Sequence, residues 1–295
     1  MNNLPQLLTE AADRMTVALD ALLPRAQGPE QELFSAMRYA ALAPGKRLRP
    51  FLALQVGRLF EADETTLLRT AAAIECVHTY SLIHDDLPCM DDDDLRRGQP
   101  TVHKQYDEAT AVLAGDALLT FAFELLADSR THPDPQMRCL LITGLAKASG
   151  ANGMVAGQMI DMRSGEFGED LAAITRMNRL KTGALISFSV DAGALVGGAP
   201  EDQRQALARY AHDIGIAFQM VDDLLDVIAD PSETGKATGK DAEAGKVNYV
   251  TLLGEEGAQA RVRLLAAQAK SHLANFGPRA NILCEVVDYI LDRRR

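Results

Sequence analysis

The sequence predicts an all-α chain, a single-domain helical bundle, on three observations. Apolar residues, chiefly Ala and Leu, recur at helical spacing almost throughout. Aromatic residues are only 5% and Trp is absent, and few stretches alternate apolar with polar around β-branched side chains, so strands have little support. Pro and Gly fall at or beside the ends of the periodic stretches.

Taken in order, residues 3–23 form the first candidate helix, followed by Pro24. Pro29 precedes the second, 30–42, and Pro44-Gly45 follows it. Pro50 marks the start of 49–60. The helix 65–87 is long and apolar on much of its circumference, as the centre of a bundle requires. Pro100 precedes 105–128, and Pro133 and Pro135 open 135–165. Helices 170–197 and 201–229, divided by Gly198 and Pro200, are also long and apolar; Pro231 follows the second. Gly277-Pro278 separates 255–275 from 279–292. No linker interrupts the series, and the longest glycine-marked loop is 230–246, so one domain over residues 1–295 is expected.

Composition narrows the function. Forty-one acidic against 30 basic side chains give a net charge of −11, which disfavours nonspecific nucleic-acid or anionic-membrane binding. Cys76, Cys89, Cys139 and Cys284 form no C-x-x-C pair, and their sparse spacing suits a reducing compartment. The first 25 residues lack the basic-then-apolar layout of a signal peptide. No run approaches 18 consecutive apolar residues. A soluble, cytoplasmic protein with no nucleic-acid partner and no stable membrane insertion is expected.

The chemistry is concentrated in two aspartate clusters, LIHDDLPCMDDDD at 82–94 and FQMVDDLLD at 218–226. On a helix, Asp222 and Asp226 share a face about 6 Å apart, and Gln219 lies on that face too. Asp223 sits between them, and the flanking residues are apolar. Two bare carboxylates at ~4 Å repel by roughly 4 kcal/mol at an effective dielectric of ~20, so such a cluster needs protons, water or cations. Mg²⁺ takes hard oxygen ligands of this kind and keeps positions open for substrate phosphates. A solvated acidic face at a helix end is the bland alternative. In the first cluster, Asp85 and Asp92 are in register with His78 if the helix runs straight, whereas a break at Pro88 brings Asp91 in instead; periodicity leaves both open.

Basic groups stand beside the acids. Arg96, Arg97 and Gly98 follow the first cluster, and adjacent arginines suit a phosphate or diphosphate. Lys46, Arg47 and Arg49 sit at a turn that opens a helix, where free N–H groups favour an anion. Lys236, Lys240 and Lys246 lie on the glycine-marked loop, which is not a P-loop.

FQ-x-x-DD-x-x-D at 218–226, DD-x-x-x-x-D and RRG at 85–98, and GK-x-x-R at 45–49 resemble the signature set of the trans-isoprenyl diphosphate synthases. The likeness runs in order over nearly the whole chain and includes KT at 181–182. It implies the isoprenoid-synthase bundle around a central apolar cavity, as a homodimer acting on small isoprenyl diphosphates. The implied reaction joins isopentenyl diphosphate head to tail to dimethylallyl or geranyl diphosphate and releases diphosphate. By resemblance, Asp85, Asp86 and Asp91 are first-motif metal ligands, and Asp222 is the main second-motif ligand, supported by Asp223 and Asp226. Three Mg²⁺ ions on the allylic diphosphate are implied. Arg96, Lys181, Lys236 and Lys246 resemble its basic contacts, with Lys240 as a further candidate. Lys46, Arg49, His78 and Arg97 resemble the isopentenyl diphosphate pocket. Thr182 and Gln219 resemble groups whose oxygens stabilise positive charge at the allylic carbon, alongside Lys181. Arg293, Arg294 and Arg295 resemble the family's basic tail.

Product length is a question of cavity depth. Tyr80 lies about 7.5 Å before Asp85 along the helix axis, next to Ser81. An aromatic there resembles the short-chain bacterial class, which implies a C15 product, with C20 as the alternative. On a simple wheel Tyr80 is about 140° from Asp85, which leaves a plain core tyrosine open as well. KVNYV at 246–250 departs from the Thr-Tyr-Pro common in relatives. Rival readings are a terpene cyclase, whose second metal motif usually differs, and a non-catalytic synthase subunit, which commonly lacks intact aspartate motifs. A di-iron bundle would need two E-x-x-H motifs, and only Glu75/His78 is present. No G-x-S-x-G supports a serine hydrolase.

Overall fold

The computed structural model describes residues 4–25, 28–163, 170–228 and 247–292. The chain is all-α, with one two-stranded hairpin among the described residues. Its contacts group it into two compact units: residues 1–143 with 195–197, and residues 144–194 with 198–295.

The first unit opens with α1 (Leu4–Leu22), α2 (Gln31–Ala41) and α3 (Leu48–Leu59). It continues with α4 (Glu64–Asp85), which Asp63 caps by accepting from the Thr66 N–H. Helix α4 is buried around most of its girth from Ala71 to Val77, so it forms the unit's core. Gly57 allows α3 to close on it, since a Cβ there would stand 2.2 Å from a Leu67 methyl. Helix α4 stops at Asp85, two residues before the sequence expectation, because the chain turns at Pro88. A hairpin missed by the sequence follows, β1 (Leu95–Arg96) and β2 (Gln99–Pro100). Its Arg97-Gly98 turn has positive φ at both residues, 54° and 78°. A short helix that was not expected, α5 (Val102–Gln105), comes next, and the expected helix 105–128 starts three residues later, as α6 (Glu108–Ala127) capped by Asp107. Asp128 then pairs with buried Arg69 of α4, which also donates to Thr131.

By length and composition alone, α6 and the stretch Pro135–Met162 are apolar enough to cross a membrane. Asp116 and Glu124 interrupt α6, whose Ala111, Ala114, Leu118, Ala122, Leu125 and Leu126 are buried. The expected helix 135–165 is broken: α7 (Pro135–Ser149), whose last six residues lie in the second unit, ends at Gly150, and α8 (Met154–Met162) starts after Gly153.

In the second unit, the expected helix 170–197 is a run with an inserted π turn: α9 (Leu171–Asn178), the π turn Arg179–Gly183, and α10 (Ala184–Val196). Then come α11 (Glu201–Ile228), α12 (Tyr249–His272), a 3₁₀ turn (Ala274–Ala280) and α13 (Asn281–Leu291). Helix α12 begins six residues earlier than expected. Asn248 and Thr251 form a capping box there, and Gly254 kinks the helix at φ 69°. Buried Tyr210 on α11 donates to the Leu283 carbonyl (3.0 Å) and docks α13.

Candidate active site

In the first unit, the end of α4 carries the first aspartate pair. Asp85 is half-buried, whereas Asp86 is 3% exposed. Adjacent helical residues point about 100° apart, so when one faces outward the next turns in. Asp86 receives Arg96 from β1, with Nε 2.9 and 2.8 Å from its two oxygens and Nη2 at 2.5 Å. Burial works against the Arg96 charge, but hydrogen bonding and attraction from Asp86 raise its pKa. Beyond the Pro88 turn, the backbone N–H of Asp91 donates to the Asp85 carbonyl (2.9 Å), which returns Asp91 to the helix end. Asp92 goes elsewhere. Its carboxylate, that of Asp94 and the ring of His103 bring ligand atoms within 4.8 Å of one another. Lys104 already pairs with Asp94 at 2.8 Å, and the His103 Nδ1 contacts the Thr101 hydroxyl (3.1 Å). A cationic ammonium there makes this triad a poor second metal site.

The second half of this unit's chemistry is basic. Arg49 Nη1 lies 3.4 Å from the Nε2 of His78. Burial, then the positive charges of Arg49, Arg97, Arg96 and Arg47, hold His78 well below the ordinary imidazole pKa, so it is neutral near pH 7. Arg97 donates to the Pro44 carbonyl (2.6 Å), beside the turn that carries exposed Lys46. Gly45 is needed there, since a Cβ would stand 2.1 Å from Nη1 of Arg97. Lys46, Arg49, His78 and Arg97 therefore gather around one turn, a surface suited to a polyanion. Arg47 is different. It pairs with Glu75, both buried, and donates to the carbonyls of Ala41 and Ala43 at 2.7 Å. Glu75 is thus spent on a structural ion pair, which removes the di-iron reading. Tyr80 is 6% exposed and meets His84 edge to face at 5.6 Å. Burial, then Asp85, pushes its hydroxyl pKa up to about 12. Ser81 donates to the His78 carbonyl.

In the second unit, Lys181 and Thr182 stand on the π turn, a local widening that recurs at functional sites. Gly157 of α8 packs on it so closely that a Cβ would lie 2.1 Å from the Lys181 nitrogen. The Lys181 ammonium contacts Asp161 of α8 at 2.6 Å, and Asp161 is 8% exposed. Thr182 donates to Gln219 Oε1 (3.1 Å), and Gln219 Nε2 donates to Asp223 Oδ1 (3.0 Å). The Tyr249 N–H at the start of α12 donates to the other oxygen, Asp223 Oδ2 (3.0 Å). Asp223 is 4% exposed, whereas Asp222 and Asp226 are half-buried. Lys236, Lys240, Lys246 and Arg293–Arg295 lie outside the described residues.

Asp161 and Tyr249 escaped the sequence reading. Asp161 is 20 residues from Lys181, and no local pattern links the two. Tyr249 had a signal, the Asn248–Thr251 capping spacing that starts a helix.

A helical fold with two Asp-Asp pairs, the first joined to Arg96 and the second linked through Gln219 to Thr182 next to Lys181, is the architecture of a diphosphate-handling synthase class. A family model described as polyprenyl synthetase matches residues 30–275, and the chain belongs to that family. It is 43% identical to the farnesyl diphosphate synthase of Escherichia coli K12, with 99% of each chain covered. It is 42% identical to a chloroplastic geranylgeranyl pyrophosphate synthase 9 of Arabidopsis thaliana, covering 96% of this chain and 79% of that one. The apo crystal structure of an FPP/GFPP synthase from Zymomonas mobilis is similar at a TM-score of 0.89 and 45% identity, with 98% of each chain covered.

Proposed function

We propose that the chain is a farnesyl diphosphate synthase. It condenses isopentenyl diphosphate with dimethylallyl or geranyl diphosphate, head to tail, and releases diphosphate. The observation that carries this reading is the basic turn of Lys46, Arg49, His78 and Arg97 in the unit that also holds the first aspartate row. A cyclase handles one diphosphate, whereas a prenyl transfer needs an anion site for a second. Neutral His78 supports isopentenyl diphosphate binding as a hydrogen-bonding group while Lys46, Arg49 and Arg97 carry the charge.

Hard carboxylate oxygens at Asp85, Asp91, Asp222 and Asp226 fit magnesium, and three ions are expected from the family likeness. When bound, magnesium neutralises the departing diphosphate. Asp86 holds Arg96 ready for that anion. Lys181, restrained by Asp161, serves the same anion, together with Lys236, Lys240 and Lys246 by the family likeness. Thr182 and Gln219 present oxygen to the allylic carbon as positive charge develops. Water must be kept from that carbon, which a dry apolar cavity provides. Tyr80 supports a C15 product as the floor of that cavity, with Ser81 beside it.

We also infer one catalytic domain, a homodimer and a cytoplasmic location. The outward Val112 and Leu113 of α6 support a second copy, and four free cysteines support a reducing compartment. The similarity to geranylgeranyl synthases supports C20 as the second reading. Chromatography of dephosphorylated products from labelled isopentenyl diphosphate tests the reaction and its product length, with farnesol expected. A neutral hydrocarbon formed without isopentenyl diphosphate would overturn it in favour of a cyclase. Asp222→Ala is expected to lower turnover by orders of magnitude with the circular dichroism spectrum unchanged.

A further inference from the structure

Asp223 belongs to a metal-binding motif by its sequence, yet it is almost fully buried and both of its oxygens accept protein N–H groups. The order of donors around it has a direction. A backbone N–H can only donate, so the Tyr249 amide fixes Oδ2 as an acceptor. Gln219 turns its NH₂ toward Oδ1, which accepts as well. The Gln219 carbonyl oxygen is then aimed at Thr182, and the Thr182 hydroxyl must give its hydrogen to it. The lone pairs of Thr182 are left on the other side of that oxygen. Reversal of the Gln219 amide would turn its oxygen against Asp223 Oδ1, reverse the bond to Thr182 and free the Thr182 hydrogen, the positive end of the group.

We propose that Asp223 is a positioning residue that sets the polarity of the Thr182–Gln219 relay, and is not itself a magnesium ligand. Through Gln219 it keeps lone pairs, in place of a hydroxyl hydrogen, available to the allylic carbon as that carbon becomes positive. The proposal rests on the placement of Thr182 and Gln219 beside that carbon given above. It makes Asp223 act on the bond-breaking step and leave diphosphate binding alone.

The test uses Asp223→Asn, Thr182→Val, the double variant and Asp222→Asn. An asparagine offers one acceptor and one NH₂, so the relay can run backwards. The expected result for Asp223→Asn is a kcat lower by about tenfold to a hundredfold, the scale of one hydrogen bond to a charged group. KM for both diphosphates and Mn²⁺ binding with inorganic pyrophosphate, read by electron paramagnetic resonance, are expected to stay within about twofold of wild type, whereas Asp222→Asn weakens Mn²⁺ binding at least tenfold. In the Thr182→Val background, Asp223→Asn is expected to cost less than it does in the wild type, because only the Gln219 oxygen is left for it to turn. Weakened Mn²⁺ binding in Asp223→Asn, or losses that multiply in the double variant, would overturn the proposal. Neutron diffraction from the wild-type protein reads the relay even if the variants fail to fold. The Thr182 deuteron is expected on the Gln219 side, and a deuteron pointing away from Gln219 sinks the idea. An enzyme that made no prenyl product would refute the proposed function, while the Mn²⁺ and neutron measurements would still judge Asp223.

Discussion

Asp85 and Asp222 are half-buried, while their chain neighbours Asp86 and Asp223 are 3% and 4% exposed. The same division recurs because consecutive helical side chains diverge by about 100°, so a DD pair at the edge of a core cannot put both members in one place. The inward member is affordable only when donors meet it, and Arg96, Gln219 and Tyr249 do so. The sequence showed that both pairs exist, but not which member faces inward. That depends on the phase of each helix against its neighbours, which two adjacent identical residues do not reveal. Asp91 illustrates a second gap. The turn after Pro88 ties the Asp91 N–H to the Asp85 carbonyl and the Asp92 N–H to the Leu87 carbonyl, and hydrophobic periodicity is blind to such bonds. Tyr80 offers a prediction at this scale. Its ring is buried against His84, and its hydroxyl pKa is raised by burial and by Asp85. If the ring limits cavity depth, Tyr80→Ala lengthens the product to C20 or beyond, and Tyr80→Phe, which keeps the ring, still yields C15. Chromatography of the dephosphorylated products decides this, and an unchanged C15 product from Tyr80→Ala would remove Tyr80 from that role.

Helix existence was readable in the sequence and helix continuity was not. The run 170–197 was expected as one helix, and its apolar pattern does persist through α9 and α10. A π turn inserts a single residue and shifts the phase by about one residue's rotation, which a tolerant apolar stripe absorbs without a visible break. That insertion is where Lys181 and Thr182 stand. The early start of α12 was missed for the opposite reason. Val247 to Val250 look irregular locally, and it is the Asn248 cap that makes them a helix start. Gly157 shows what the π turn demands of its neighbour. With a side chain there, α8 would meet backbone atoms, which cannot swing aside as a flexible side chain can. Gly157→Ala is therefore expected to push α8 and the π turn apart. The cost is about 1–3 kcal/mol, the usual range for overpacking a tight contact. A lowered urea midpoint together with reduced turnover is expected, because the Asp161–Lys181 contact spans the same two elements. Unchanged stability and turnover would show that the close approach is dispensable.

At the scale of the whole molecule, a net charge of −11 is partly concentrated in the two aspartate clusters. Repulsion among such carboxylates opposes folding, and a cation bound only by the folded chain relieves it. In the proposed reading, magnesium alone would be left with Asp85, Asp91, Asp222 and Asp226, because Asp86 and Asp223 are already engaged by protein donors. In the same reading, inorganic pyrophosphate alone would meet carboxylates as well as basic groups. Together, the ion and the anion complete each other's coordination, so their stabilising effects should exceed the sum of the two taken singly. For a ligand at about 100 times its Kd the gain is about 2.7 kcal/mol. With an unfolding entropy of about 2.1 cal/mol/K per residue, a chain of 295 residues should then gain about 4 °C in Tm. Scanning calorimetry with Mg²⁺, with pyrophosphate and with both checks this, and Asp222→Ala is expected to lose most of the joint gain while keeping the unliganded Tm within a few degrees. An equal gain from pyrophosphate with and without Mg²⁺ would mean that the basic groups bind the anion unaided, and the aspartate rows would lose their role in holding it.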